Sequence, residues 1–253
     1  MQKNQSSFLS YSHYYDLFYN DKEYNEEARY ITGLLTSFSP EASTILELGS
    51  GSGNYTTRFS EAGYHVTGID LSESMVLQSK QKKIKAFTPV LGNISSFALS
   101  KKFDAAVSLF DVMCYLTNTE SILSCLACVH DHLQDQGYFI FDCWHTAGVY
   151  SELPEKRVKY AEDEQVHVKR TATPVIHFDK NIVDVNYEFL ITDKRTGGQS
   201  SIFEKHSLRH FSTVEIEYFA KASGFQLVRS EEPVTAITPT NKSWKVCHIL
   251  KRK

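Results

Sequence analysis

The sequence holds no unbroken run of about 18 apolar residues, so no membrane-spanning helix is expected. It also lacks a strong concentration of positive charge. Its 27 basic and 30 acidic residues leave a net charge of −3, and the densest cluster, Lys80-Gln81-Lys82-Lys83, reads as a solvated helix end. Such a surface argues against a broad nucleic-acid footprint. The stretch Met1-Gln2-Lys3-Asn4-Gln5 lacks the apolar core of a signal peptide, which points to a cytoplasmic location. Five cysteines, an odd number at irregular spacing, read as reduced thiols. Cys125 and Cys128 have the spacing of a metal or redox pair. They sit in an apolar helical pattern without a second pair, so buried helix residues are the better reading and no metal is expected. Internal repeats and low-complexity tracts are absent as well.

What is present begins at Ile45-Leu46-Glu47-Leu48-Gly49-Ser50-Gly51-Ser52-Gly53. The apolar run 44–48 reads as a buried strand. Glycines at alternate positions then let the backbone turn tightly and leave room for a ligand. The segment 54–61 has helical character, so the loop ends at a helix N-terminus, where unpaired N–H groups favour an anionic group. A second strand over 64–69 ends in Asp70, a carboxylate suited to a pair of ribose hydroxyls. The dinucleotide fingerprint G-x-G-x-x-G fails, because Asn54 and Thr56 stand where its last glycine would be. A ligand-free tight turn is the bland alternative, and three glycines in five residues is a costly way to build one.

From residue 44 strands and helices alternate regularly. Strands are expected at 44–48, 64–69, 86–90, 103–109 and 137–142, and helices at 53–62, 72–82 and 120–134. This predicts a doubly wound α/β fold, a mostly parallel seven-stranded sheet with helices on both faces. Strands at 225–230 and 244–250 complete it, the last antiparallel and at the end region of the sheet. Ser212 and Glu215 form a capping-box pattern that opens a helix ending at Gly224. Between 150 and 210 the pattern changes to β-branched and aromatic alternation with turns at 179–181 and 196–198, which reads as an inserted antiparallel sheet. Before the first strand come Tyr11, Tyr14, Tyr15, Tyr19, Tyr24 and Tyr30, on two expected helices that end near residue 38.

The pattern E-x-G-x-G-x-G with Asp70 resembles motif I of class I S-adenosylmethionine-dependent methyltransferases, whose Rossmann-like fold matches the expected sheet. The Tyr-rich start and the inserted sheet are similar to those of N-methyltransferases acting on nucleotide-linked amino sugars. By this resemblance 1–145 with 211–253 form the cofactor domain, 1–40 an N-terminal helical lid, and 146–210 a substrate lid. The resemblance implies S-adenosylmethionine as cofactor and S-adenosylhomocysteine as product. It places Glu47, Gly49, Ser50, Gly51 and Gly53 around the amino-acid end and Asp70 on the ribose. Leu71, Met75, Gly92, Asn93 and Ile94 would lie at the adenine, with Asn93 standing where the family often has Asp. Leu109 and Phe110 would pass beneath the transferring methyl group. Tyr15, Tyr19 and Tyr24 would face the methionine end or the acceptor.

Methyl transfer is an in-line displacement, so placement is the main task. An amine acceptor need only arrive neutral, while a hydroxyl needs help losing its proton. Candidates for that help are Asp111, His145, His206 and His210. Tyr115, which aligns with an acceptor-facing position in the resembling enzymes, is preferred to the histidines, with Tyr19 beside it. Lys242, Lys245 or Arg209 would meet a nucleotide diphosphate. The expected partner is a small-molecule acceptor, with no nucleic acid and no membrane, and the lid sheet is equally suited to a homodimer contact. The alternatives left open are O-methylation of another small molecule, methylation of RNA or protein, and a cofactor-binding regulatory protein.

Overall fold

The structure is a computed structural model that describes residues 12–19 and 22–253, with the side chains of Ser12, His13 and Tyr15 outside the description. Tyr11 lies outside the described residues. Two helices lead in, α1 (Ser12–Phe18) and α2 (Tyr24–Phe38). The alternating part follows as β1 (Thr44–Leu48), α3 (Asn54–Glu61), β2 (His65–Asp70), α4 (Glu73–Gln81), β3 (Phe87–Leu91), β4 (Phe103–Ser108), α5 (Thr119–His132) and β5 (Leu133–Trp144). A short helix α6 (Thr146–Ser151) leads to β6 (Arg157–Glu162), β7 (Val166–His177), β8 (Ile182–Asp193) and β9 (Gln199–Arg209). The chain closes with α7 (Thr213–Ala222), β10 (Phe225–Glu231) and β11 (Lys245–Arg252).

Seven strands form one sheet in the order β10-β11-β5-β4-β1-β2-β3. β1 pairs in parallel with both β2 and β4, so the strand order reverses beside β1 and opens a crevice at the strands' carboxyl ends. Alternation along β1 sends Leu46 and Leu48 to one face and Ile45 to the other. The first face packs on α5 and α7 through Leu126, Val129, Ile216 and Phe219. The second packs on α2 and α3 through Ile31, Leu35 and Phe59. The expected caps form: Ser72 Oγ accepts from the Met75 amide at 3.4 Å, and Ser212 and Glu215 complete their capping box.

β11 is antiparallel and in the end region of the sheet as expected, between β5 and the edge strand β10. The reason is in its composition. Val246 to Leu250 are buried without a break, which a strand achieves only with layers on both faces and neighbours on both sides. β5 starts four residues earlier than expected, at Leu133. The register shift opposite Phe103 and Ala105 and the positive φ of Gln136, 64°, absorb the extra residues as a bulge.

The remaining strands form a four-stranded antiparallel sheet in the order β6-β7-β8-β9. Phe18 of α1 packs on it with Val168, Phe189 and Ile191. The second sheet and the N-terminal helix therefore meet. No helix among the described residues is long and apolar enough to cross a membrane.

Candidate active site

The turn after β1 takes Gly49, Gly51 and Gly53 through left-handed backbone at φ 69°, 53° and 86°. A side chain on Gly49 would strike Val112 at 2.5 Å, so this glycine lets the turn after β4 press against the loop. Gly51 differs: nothing lies within 4 Å of the place its Cβ would occupy, which leaves open space on the loop. Its N–H donates to Asp70 Oδ2 at 2.7 Å, and the Ser72 N–H donates to Oδ1 at 2.8 Å. Burial raises the Asp70 pKa, and these backbone donors oppose the rise without cancelling it. Glu47 is 2% exposed beneath the loop and accepts from the Thr56 hydroxyl. Burial, opposed by Thr56 and helped by the nearby Asp70, pushes its pKa up to about 8.

The N-terminal helix crosses this loop. Asp16 Oδ1 accepts from the Ser52 hydroxyl at 2.7 Å and the Asn54 amide at 3.1 Å, and Asp16 Oδ2 lies 3.0 Å from Lys82 Nζ. Lys82 also donates to Asn54 Oδ1 at 2.7 Å. Lys82 is therefore a latch between α1, the loop and the end of α4, and not a merely solvated residue. A cavity of about 480 Å³ opens beside the loop where the N-terminal helix crosses it, lined by Asp16, Tyr19, Lys22, Asn54, Arg58 and others.

After β4 the backbone turns through two successive left-handed residues, Phe110 at φ 63° and Asp111 at 65°. Non-glycine residues seldom adopt this conformation, and it is held here by Asp142 at the end of β5. One Asp142 oxygen accepts the Phe110 N–H at 3.1 Å and the other accepts the Asp111 N–H at 2.7 Å. Lys245 Nζ lies 3.2 Å from Asp111 and 3.4 Å from Asp142. Burial works against the Lys245 charge, but the two carboxylates hold its pKa above the ordinary lysine range. The Phe110 ring is met edge-on by Tyr19 at 5.0 Å and flanked by Lys22 at 4.7 Å. Just beyond, in a 3-10 turn over Val112–Tyr115, Tyr115 reaches the second sheet: its hydroxyl lies 2.8 Å from His206 Nδ1 on β9. Burial first, then the neighbouring Tyr187 and Tyr19 phenols, raise its pKa well above the usual tyrosine value.

This arrangement, an open glycine turn facing a strand-end carboxylate at the switch in strand order, agrees with what known proteins share with the chain. Residues 45–137 match the family described as methyltransferase domain. The dTDP-3-amino-3,4,6-trideoxy-alpha-D-glucopyranose N,N-dimethyltransferase of Streptomyces venezuelae is 34% identical over 132 residues, 51% of this chain and just over half, 55%, of that protein. The putative methyltransferase YqeM of Bacillus subtilis is 26% identical over 93% of both chains. A crystal structure of an S-adenosylmethionine-dependent methyltransferase from Clostridium acetobutylicum superposes with a TM-score of 0.79 at 19% identity, over 97% of this chain and 98% of that one. Residues 45–137 carry a methyltransferase domain, in a chain with the fold of S-adenosylmethionine-dependent methyltransferases.

Within this methyltransferase domain the anticipated residues separate into groups. Gly49, Ser50, Gly51, Gly53 and Asp70 stand together at the loop, with Glu47 beneath them. Met75 is buried at the start of α4, and Leu71 is 39% exposed beside it. Gly92 donates its N–H to the Asp70 carbonyl at 2.9 Å, which brings Asn93 and Ile94 next to β2. Asn93 already spends an acceptor site on the Ser95 N–H at 2.9 Å. Leu109, Phe110, Asp111, Tyr115 and Tyr19 gather after β4. Tyr24 packs edge-on against Tyr55 at 5.0 Å, next to Lys22.

Other anticipated residues are engaged elsewhere. His145 Nδ1 donates to the Ser243 carbonyl at 3.2 Å. His210 bonds the Thr146 hydroxyl at 2.9 Å, and burial lowers its pKa to about 4. Arg209 is paired with Glu215 at 2.9 Å and lies over the Phe211 and Phe219 rings. Lys242 is exposed in the loop before β11. Lys245, expected at a phosphate, has its charge balanced by Asp111 and Asp142 and cross-links the ends of β4, β5 and β11. The side chain of Tyr15 lies outside the described residues.

Sequence reasoning missed Asp16, Lys22, Asp142, Arg170, Tyr187 and Glu204. Arg170 on β7 donates to the Tyr19 hydroxyl at 3.1 Å and lies over the Phe18 and Tyr187 rings. Only Asp142 carried a usable signal, as the last acidic residue of an apolar strand.

Proposed function

We propose that this protein transfers a methyl group from S-adenosylmethionine to the amino nitrogen of a sugar linked to a nucleotide. The cofactor supplies a methyl group on a sulfonium, a leaving group that needs no acid. The residues that would hold it are Gly49 to Gly53, Glu47 and Asp70. The open space at Gly51 and the adjoining Asp70 carboxylate support that reading, because a cofactor of this kind brings an amino-acid end and a ribose to such a pair. With so good a leaving group, the protein's contribution is to hold the nucleophile close and in line, which accounts for several kcal/mol of the barrier, on the order of 7–11 at best.

The observation that carries the acceptor reading is the gathering of Tyr19, Tyr115 and Tyr187 beneath the second sheet. The Tyr115 phenol senses both of the other two. Phenols on an apolar wall bind a small polar ring through a few placed hydrogen bonds. The second sheet, roughly residues 146–210, acts as the acceptor lid and the N-terminal helices as the cofactor lid. Two named relatives act on dTDP-linked amino sugars by their descriptions, which agrees with a nitrogen acceptor.

Incubation with methyl-labelled cofactor and a panel of nucleotide-linked amino sugars tests the reading. Label on a sugar nitrogen is expected. Label only on a hydroxyl acceptor, on RNA or on protein overturns it.

A further inference from the structure

Three side chains from two sheets form a continuous hydrogen-bonded line. Tyr115 Oη lies 2.8 Å from His206 Nδ1, and His206 Nε2 lies 3.0 Å from Glu204 Oε2. His206 and Glu204 are two apart on β9, so both side chains leave the same face of the strand. Both are buried, at 3% and 7% exposure. The Tyr187 ring meets the imidazole edge-on at 5.1 Å and closes one side of it. A carboxylate can only accept, so the Glu204 contact assigns the imidazole proton to Nε2. Nδ1 is then bare and accepts the Tyr115 O–H. A phenol whose one O–H is engaged as a donor offers only lone pairs to anything else.

We propose that the Glu204–His206 pair on the lid strand fixes Tyr115 as a hydrogen-bond acceptor for the substrate amine and takes up the proton released on methylation. The proposal rests on the amine reading above. Before transfer, an amine N–H donating to Tyr115 Oη leaves the nitrogen lone pair free to point at the methyl group. After transfer the nitrogen carries one proton too many. That proton passes to Tyr115 Oη as the Tyr115 proton passes to His206 Nδ1. The N–H bond breaks, the phenol is re-formed and the imidazolium rests against the Glu204 carboxylate until its proton is shed to water on product release. Tyr115 is the catalytic residue here; His206 and Glu204 are positioning residues that act through it. The same chain makes the chemistry conditional on the lid, because β9 supplies two of its three members.

The titratable groups facing this line are Tyr187 on β8, Tyr19 after α1, and Asp111 and Cys114 in the turn that carries Tyr115. Nitrogen-15 NMR of histidine-labelled parent protein reads the tautomer directly. An unprotonated Nδ1 on His206 is expected, and a protonated Nδ1 with a bare Nε2 overturns the proposal. Glu204→Gln removes the charge at constant shape. We expect kcat to fall about 10- to 100-fold, within the usual range for a lost proton acceptor, with cofactor affinity by calorimetry unchanged. The loss should fall on kcat and leave KM for the amine unchanged, because the carboxylate acts through His206 and Tyr115 and not on the substrate. A variant with the parent's kcat overturns the proposal. Should the parent bind no S-adenosylmethionine, the function above fails, and the tautomer still decides the hydrogen-bond line independently.

Discussion

The glycine-loop half of the site and the lid half are built by opposite means. Around Gly51 and Asp70 the donors are backbone N–H groups from one stretch of chain, residues 51–72. Around Tyr115 they are side chains from the residue after α1, from β7, β8 and β9 and from the turn after β4, up to 151 residues apart in sequence. A backbone-built site can be left or lost at a single glycine. A side-chain-built site is a set of separable parts, and it can change its acceptor while the fold stays the same.

Gly51→Val should break the first half outright. The new side chain would fill the space left on the loop and would force a branched residue to φ 53°. The strain itself is a matter of about 1–2 kcal/mol. Gly197→Val, in the β8–β9 turn at φ 71° and with equal open space, carries the same strain far from the loop. Calorimetry should find no cofactor binding for the first variant and parental binding for the second. If both bind equally well, the open space at Gly51 is not the cofactor's.

That contrast also explains what could be read from sequence. The seven-stranded sheet, the antiparallel insertion and the capping box were legible because each follows from local periodicity or from a fixed spacing. The left-handed turn at Gly49, Gly51 and Gly53 and the strand-end position of Asp70 were legible because they depend on local backbone conformation and on a strand boundary. The contacts of Lys245 with Asp111 and Asp142 were not legible, because nothing in its neighbourhood in sequence announces either carboxylate. Asp16 and Lys82 are 66 residues apart, and only the fold brings them to 3.0 Å.

Lys245→Met tests the seam between the two halves, where β4, β5 and β11 end together. It strands two carboxylates, with Asp142 side chain only 6% exposed. Removing one partner of a buried ion pair costs about 3–5 kcal/mol. The urea midpoint should fall accordingly, and Asp111→Asn on the same background should recover part of the loss. An unchanged midpoint would show that the trio is solvated and that the Phe110–Asp111 turn is held by Asp142 alone.

Glu47→Gln sharpens the comparison from below the loop. The folded pKa of Glu47, about 8, lies above the ordinary 4.5. The unfolded chain therefore loses its proton first as pH rises. Stability is fully present below pH 4.5 and is lost progressively up to pH 8. The neutral amide keeps an acceptor for Thr56 without this penalty. Above pH 8 the variant should exceed the parent by an amount on the order of a few kcal/mol, with little difference at acid pH. Denaturation curves with the same pH dependence in both proteins would return Glu47 to an ionised, solvated role.

The smallest expected effect belongs to the latch that joins the halves. Burial pushes the Asp16 carboxyl up, but the hydrogen bonds from Ser52, Lys82 and Asn54 and the Lys82 charge leave its pKa below the usual value. The Asp16 and Lys82 side chains are 43% and 33% exposed, so solvent screens most of their attraction. Asp16→Ala should therefore change global stability by less than about 1 kcal/mol. Its effect on cofactor affinity should be a few-fold loss, because the helix that crosses the loop is released from Ser52 and Asn54 together. High salt should erase the Lys82 share of that difference and leave the hydrogen-bond share. A parent and variant that bind the cofactor equally at low salt would mean that α1 is held by Phe18 on the second sheet alone, and that the lid halves move independently.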